Sequence, residues 1–290
     1  MQVLISILFD GLAYGMMLFV IAVGLSVTMG LMGFVNLAHG AFAMAGGYVT
    51  VSVMTGWGAP FLLALVIAFL VVAAASIAFE RLLYARCYAA SELDQVMLTI
   101  GLVFMAMAAA TFLYGPAPKT VRLPAYLSGQ IDFGFRAFPT YRVFLIATGL
   151  GLMAALWLLF HRTLLGAQIR AAVDNRRMAQ SVGIDVDRLF TLTFAFGSGM
   201  AALGGGLAIN IVGLSPSFAI QYLVFFLIVV AVGGMGSLWG AFAAALLLGF
   251  LDNAGKYLWP EGGGFFIYVA TVALLLWRPH GLLARRSQAR

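Results

Sequence analysis

Charged residues are scarce in this chain of 290 residues, making up only 9% of it, while hydrophobic residues make up 63%. A soluble domain carries about 25% charged residues. No lysine or arginine occurs before Arg81. The composition therefore predicts an all-α polytopic membrane protein. The net charge of +6 does not indicate a nucleic-acid partner, because the arginines gather in loops and at the C-terminus, as on the cytoplasmic side of membrane proteins.

Cysteine is nearly absent, since Cys87 is the only one. A single cysteine cannot form an internal disulfide. The three histidines, His39, His161 and His280, are far apart in the sequence, and no Cys/His cluster indicates a metal site. We expect no metal and no cofactor.

Several functional motifs are also missing. The sequence has no GxxxxGK[ST] loop for ATP phosphates and no Ser/His/Asp set for catalysis. Asp10 and Asp252 are the only acids close to span interiors, and each is expected near a span end, so a proton-coupled carrier is disfavoured. The N-terminus lacks the basic region and cleavage site of a signal peptide. We expect neither an enzyme nor a self-contained ATPase.

Long apolar segments fill the chain and predict a single transmembrane domain over 1–290. A spanning helix needs about 20 residues. The segments predict eight or nine membrane elements, with the two short ones, 220–236 and 264–277, as candidates for broken or re-entrant elements. The nine segments are 4–30, 34–55, 60–79, 95–114, 141–160, 189–212, 220–236, 240–258 and 264–277.

The distribution of lysine and arginine predicts the orientation. Loops 80–94 and 161–188 and the C-terminal tail carry 11 of these residues, whereas loop 115–142 and Lys256 carry five. Cytoplasmic loops are enriched in lysine and arginine. We therefore expect the first set in the cytoplasm, 115–140 as a periplasmic loop, and the N-terminus outside.

One stretch, 29–48, combines polar side chains with glycines inside an apolar region. It contains Asn36 and His39, with glycines at 30, 33, 40, 46 and 47. An ionisable side chain at bilayer depth usually faces a protein interior or a water-filled path. Clustered glycines permit close packing or a break that lines a cavity. We predict that the stretch lines part of a transport path; the alternative for His39 is a core histidine bonded to a backbone carbonyl.

Loop 161–188 is too polar to span a membrane. Arg170, Asp174, Arg177 and Ser181 repeat at helical spacing, and Ala172, Ala179 and Val182 lie off that polar stripe. This pattern predicts one short amphipathic helix with Gly183 as its C-terminal cap. The helix could lie on the membrane surface, or it could dock in a groove of a partner.

Residues 98–102, LTIGL, open the span at 95–114. Thr99 can bond back to a helix carbonyl, and Gly101 would allow a neighbouring helix to approach closely. We predict that both serve packing between helices.

Taken in order, several of these motifs resemble one family. The run GFVNLAHG at 33–40 with AGGY ending at Tyr48 resembles the signature of the permeases of bacterial branched-chain amino acid ABC importers, specifically the smaller of the two paired permeases. The further matching stretches are Leu98–Leu102, Arg170–Gly183 with Ile184 and Asp185, Val232–Gly240 and Arg278–Leu282. Many members have an acidic residue where this chain has Ala41.

The resemblance implies an inner-membrane importer with two related permeases, two cytoplasmic ATP-binding subunits and a periplasmic binding protein. It implies that Gly33, Asn36, His39 and Gly40 belong to the translocation path. It also implies that the amphipathic helix couples to the ATPase, through Arg170, Asp174, Arg177, Ala179 and Gly183. The alternatives are a urea or short-amide permease of the same family and, in another class, a self-contained channel or facilitator.

Overall fold

The computed structural model describes residues 2–34, 36–88, 90–132, 134, 136–279 and 281–283, with Gln2 described by its backbone alone. Helices dominate this part of the chain, and the strands β1 (Gln130–Asp132) and β2 (Ala137–Pro139) form one antiparallel hairpin. The helices are α1 (Gln2–Met32), α2 (His39–Trp57), α3 (Phe61–Phe79), α4 (Ala85–Cys87), α5 (Glu92–Tyr114), α6 (Thr140–Arg162), α7 (Leu164–Asp174), α8 (Arg176–Ser181), α9 (Val186–Val212), α10 (Phe218–Gln221), α11 (Leu223–Gly233), α12 (Leu238–Leu258) and α13 (Gly263–Trp277).

Every predicted apolar segment contains a helix, although the segment predicted at 34–55 becomes helical only at His39. Six of the described helices are long and apolar enough to cross a membrane, and α2, residues 218–233 and α13 complete the set of nine. The all-α polytopic fold is therefore confirmed.

Helices α1 and α9 form the centre of the molecule. In their most apolar windows 78% and 83% of residues are buried, against 17% for α5 and 22% for α6. Small residues make this possible: a Cβ added to Gly205 of α9 would lie 1.8 Å from the carbonyl oxygen of Ala43 in α2. Such backbone contact is typical of helix packing in membranes.

The two predicted sets of basic residues lie at opposite ends of α1, which is about 45 Å long at 1.5 Å per residue. Near its N-terminus, Asp10 bonds Arg142 and Ser6 bonds Arg136. Near its C-terminus, Leu31 packs against α7 and α8. Arg285, Arg286 and Arg290 of the tail lie outside the described residues.

Helix α3 does not end at Phe79, where the sequence predicted a loop. A π-helical turn, Glu80–Tyr84, continues it into α4, with the Ala85 N–H donating to the Glu80 carbonyl. No glycine or proline interrupts residues 61–87, so nothing local stops the helix. Glu80, which the sequence placed in a loop, is consequently buried.

Two breaks interrupt the bundle. After α1 ends, α2 begins beside Ile21, which lies 11 residues, or about 16 Å, before the end of α1. After α9 ends at Val212, α10 packs against the start of α2, where a Cβ on Gly40 would lie 2.4 Å from the Ala219 carbonyl oxygen. We call 33–38 the first break and 213–217 the second break; α2 and α10, which follow them, meet inside the protein.

Candidate functional site

The first break begins at Gly33, which has a φ of +62°. Its N–H donates to the Met29 carbonyl at 3.0 Å, so it closes the last turn of α1 in the left-handed conformation that favours glycine. Gly33 is exposed, and Gly40 is buried against α10.

Asn36 organises the break from inside. Its Oδ1 accepts hydrogen bonds from the Ala38 N–H and from the Tyr84 hydroxyl, each at 3.1 Å, and the residue is 2% exposed. Its Nδ2 finds no partner among the described residues. Asn36 therefore holds the break together through Oδ1, while its amide nitrogen, with two N–H donors, is unsatisfied; an unpaired buried donor costs about 1–3 kcal/mol.

His39 is the first residue of α2 and is 1% exposed. Its Nε2 donates to the carbonyl of Ile21 at 2.8 Å. This is the geometry of the alternative interpretation, a core histidine bonded to a backbone carbonyl. The structure therefore brings Asn36 and His39 into the interior of the chain and leaves their role in a path as a prediction.

The predicted single helix over Arg170–Gly183 is wrong, because two helices, α7 and α8, meet at Asn175. Asn175 is extended (φ −156°, ψ 98°), and its side chain accepts from the Met178 N–H at 3.0 Å. An asparagine favours such a cap over a helix interior. We call residues 164–184 the coupling segment, after the role that the resemblance implies for it.

Gly183 caps the C-terminal end of α8, as the sequence predicted for the end of this helical region. It has a φ of +87° and donates to Gln180, while the Ile184 N–H donates to the Ala179 carbonyl at 3.1 Å. This pair of bonds is a Schellman motif.

Two of the three small apolar residues that lie off the polar stripe pack on the chain itself, so the predicted contact of Ala179 with the ATPase is not available in this structure. Ala172 and Ala179 are buried in a cluster with Leu31 and the start of α9. Asp174 and Arg177 are exposed, and Arg170 bonds the Phe160 carbonyl. The most exposed apolar side chains are Leu164, Met178 and Val182, at 84%, 62% and 69% exposure.

Sequence analysis missed Glu80, whose side chain is 3% exposed. It accepts from the Tyr88 hydroxyl at 2.6 Å and from the Thr191 hydroxyl at 2.9 Å. Burial, and then the bond to Glu80, raise the pKa of Tyr88 well above its usual value, so the hydroxyl remains a donor. The sequence did contain a signal for this cluster, because Glu80, Tyr84 and Tyr88 are spaced four residues apart, as residues on one helix face are.

An open cavity of about 570 Å³ lies beside Glu80. Its lining includes Arg81, Tyr88, Arg176 and Asp187. The end of α3 and the coupling segment therefore share one water-accessible space.

The second break and α10 carry polar groups at the surface. Ser217 of the break and Gln221 of α10 are exposed, and the hydroxyls of Ser215 and Ser217 lie 2.9 Å apart. Within the described part of the chain, no group of three His, Cys, Asp or Glu side chains could hold a metal ion. The second break and α10 thus offer hydrogen-bonding groups at the surface.

Residues 7–275 match the family described as branched-chain amino acid transport system permease component. The chain belongs to this family. It is 29% identical to the high-affinity branched-chain amino acid transport system permease protein LivH of Escherichia coli K12, covering 96% of this chain and 94% of that protein. It is 26% identical to BraD of Pseudomonas aeruginosa, named as the same kind of permease, over 96% and 95%.

A solved structure shares the fold: PsaBC from Streptococcus pneumoniae in complex with Fab, with a TM-score of 0.50 and 16% identity, covering 97% of this chain and 92% of that one. At this identity the likeness concerns the fold alone. Family and helices together make this chain a multi-pass permease of the inner, or plasma, membrane.

Proposed function

We propose that the chain is one of two paralogous permease subunits of an ABC importer, driven by two cytoplasmic ATP-binding subunits and supplied by a periplasmic binding protein. The coupling segment carries the proposal. It is anchored through Ala172 and Ala179 and presents the exposed apolar side chains Met178 and Val182 beside exposed charges. A self-contained channel has no need for such a surface.

The proposed orientation places the coupling segment in the cytoplasm and residues 115–140 in the periplasm. The sequence prediction of a lysine- and arginine-rich cytoplasmic side supports it. So does the grouping of Arg81, Arg176 and Arg188 around one cavity, far along α1 from Arg142.

The proposed translocation path follows the two breaks. Discontinuous elements that meet at depth are a recurring way to build transport sites. Ser217 and Gln221 are exposed beside the second break. Because polar groups that face lipid at membrane depth are costly, we infer that these two side chains face the path instead. Gly33, Asn36, His39 and Gly40 then shape this path, with the side chains of Asn36 and His39 holding its wall from behind.

Branched-chain amino acids are the proposed substrates, because relatives matched over nearly their whole length carry that function in their names. Urea or a short amide is the alternative. The test is reconstitution in vesicles of the complex that co-purifies with this chain. We expect ATP-driven uptake of labelled leucine, isoleucine or valine, and none by this chain alone. Uphill uptake by the single chain would overturn the proposal.

Met178→Glu tests the docking surface in the same vesicles. We expect the variant to fold but to retain few of the ATP-binding subunits on purification, because a charge replaces an exposed apolar contact. Tyr126→Glu is the matched control, since Tyr126 is 56% exposed and lies in the loop at the opposite end. If equal amounts of the ATP-binding subunits co-purify with both variants, the coupling segment is not part of the docking surface.

A further inference from the structure

The continuation of α3 through the π-helical turn and α4 connects the coupling segment with the first break. Glu80, Tyr84 and Tyr88 lie four residues apart along this continuation, with Glu80 and Tyr84 buried and Tyr88 half-buried. Residues at this spacing share one helix face. That face meets the start of α9 on one side and the first break on the other.

On the first side, the coupling segment is tied to α9. Arg176 pairs with Asp187 at 3.1 Å, and its guanidinium lies 4.7 Å from the centre of the Phe190 ring. Thr191, the next residue, donates to Glu80 at 2.9 Å. Contacts therefore connect the coupling segment, through α9, to the buried Glu80 carboxylate.

On the second side, Tyr84 reaches the first break. Its hydroxyl donates to Asn36, and its ring lies 5.3 Å from that of Phe34 and 4.8 Å from that of Phe194. Tyr84 is fully buried, so these contacts define its position. The bond to Asn36 joins α3 to the residue that also caps the turn before α2.

The π-helical turn lies between these contacts, from Glu80 to Tyr84. A π-turn contains one more residue per hydrogen-bonded ring than an α-turn and often marks functional sites. Conversion to α-helix would rotate Tyr84 relative to Glu80. Such a conversion is the kind of second arrangement that a coupling element requires.

We propose that Glu80 and Tyr84 are positioning residues that transmit movement of the coupling segment to the first break. This inference rests on the proposed function. The link runs from Arg176 through α9 and Thr191 to Glu80, across the π-helical turn to Tyr84, and from Tyr84 to Asn36. It holds the break in its present geometry until the coupling segment moves.

Tyr84→Phe tests the link, because it removes one hydroxyl and keeps the ring. In the reconstituted complex we expect normal ATPase association and about 2- to 30-fold less leucine taken up per ATP hydrolysed, as for coupling residues elsewhere. Tyr141→Phe is the matched control: Tyr141 is buried, and its hydroxyl donates to the Leu207 carbonyl at 2.6 Å near the opposite end. It should leave the ratio unchanged.

Thr191→Val provides a second, independent variant and should lower the same ratio. Combined with Tyr84→Phe it should add little, because the two bonds act in series. An unchanged ratio in Tyr84→Phe, or an equal fall in Tyr141→Phe, would overturn the inference; if Tyr84→Phe does not assemble, an unchanged ratio in Thr191→Val decides against it. Absence of ATP-driven uptake in the wild-type complex would overturn the proposed function, and the inference with it.

Discussion

The central and peripheral helices are both long and apolar, yet they are built differently. Helix α9 contains five glycines, and 83% of its most apolar window is buried; α5 contains one glycine, Gly101, and 17% of its window is buried. Gly101 faces open space, which contradicts the predicted close approach of a helix there. Apolar character therefore identifies a span, and the density of small residues shows which spans pack at the centre.

The largest expected difference between the two groups is in their glycines. Gly205→Ala places a Cβ 1.8 Å from the Ala43 carbonyl oxygen, and we expect it to lower the free energy of unfolding by about 1–3 kcal/mol. Gly101→Ala should raise it by up to about 1 kcal/mol, because alanine favours a helix and nothing obstructs it. Thermal unfolding of both variants in detergent measures this. Stabilisation by Gly205→Ala would contradict the central packing.

The sequence predicted the helices well because hydropathy records them directly. It missed the continuation of α3, because Glu80, Arg81 and Arg86 suggested a loop. The buried Glu80 is tolerated because it accepts from the hydroxyls of Tyr88 and Thr191, 8 and 111 residues away in the chain, whereas Arg81 and Arg86 are exposed. A partner as distant as Thr191 is invisible to local pattern.

The candidate site was predicted in part. Asn36 and His39 were recognised as unusual, and Thr99 bonds back to the Gln95 carbonyl as expected. Helical periodicity separated the two faces of the coupling segment but could not say which one the chain itself covers. Ala179 fits its own core because a small residue suits intramolecular contact as well as contact with a partner.

The next largest difference concerns two histidines that each bond a backbone carbonyl. His39 is central and bonds Ile21 at 2.8 Å, whereas His161 is peripheral, exposed and bonds Trp157 at 3.1 Å. His39→Leu should cost about 0.5–1.5 kcal/mol through the lost bond. His161→Leu should change stability by no more than about 0.5 kcal/mol.

Uptake per folded molecule separates the two interpretations of His39. If it shapes the path, uptake by His39→Leu falls further than the amount of folded protein does. If uptake follows the folded fraction, the residue serves packing alone. His161→Leu is the control. A similar fall in uptake per folded molecule in that variant would show that the central position of His39 makes no difference to transport.

The smallest expected difference lies in two ion pairs. Arg142 and Asp10 join peripheral α6 to central α1, with side chains 36% and 13% exposed, whereas Arg188 and Asp185 pair at 2.8 Å with side chains 82% and 51% exposed. Exposed pairs contribute about 0–1 kcal/mol and are screened by salt. Arg142→Gln should cost about 1 kcal/mol, the top of that range, because it removes the cation beside the largely buried Asp10 and leaves the Tyr257 hydroxyl, at 3.2 Å, as a neutral donor to that carboxylate. Arg188→Gln should cost about 0.3 kcal/mol, and less at high salt.

Adding Asp10→Asn to Arg142→Gln should restore stability, since it removes the charge left without its cation. Equal, salt-sensitive losses of stability in Arg142→Gln and Arg188→Gln would mean that burial does not distinguish the two ion pairs.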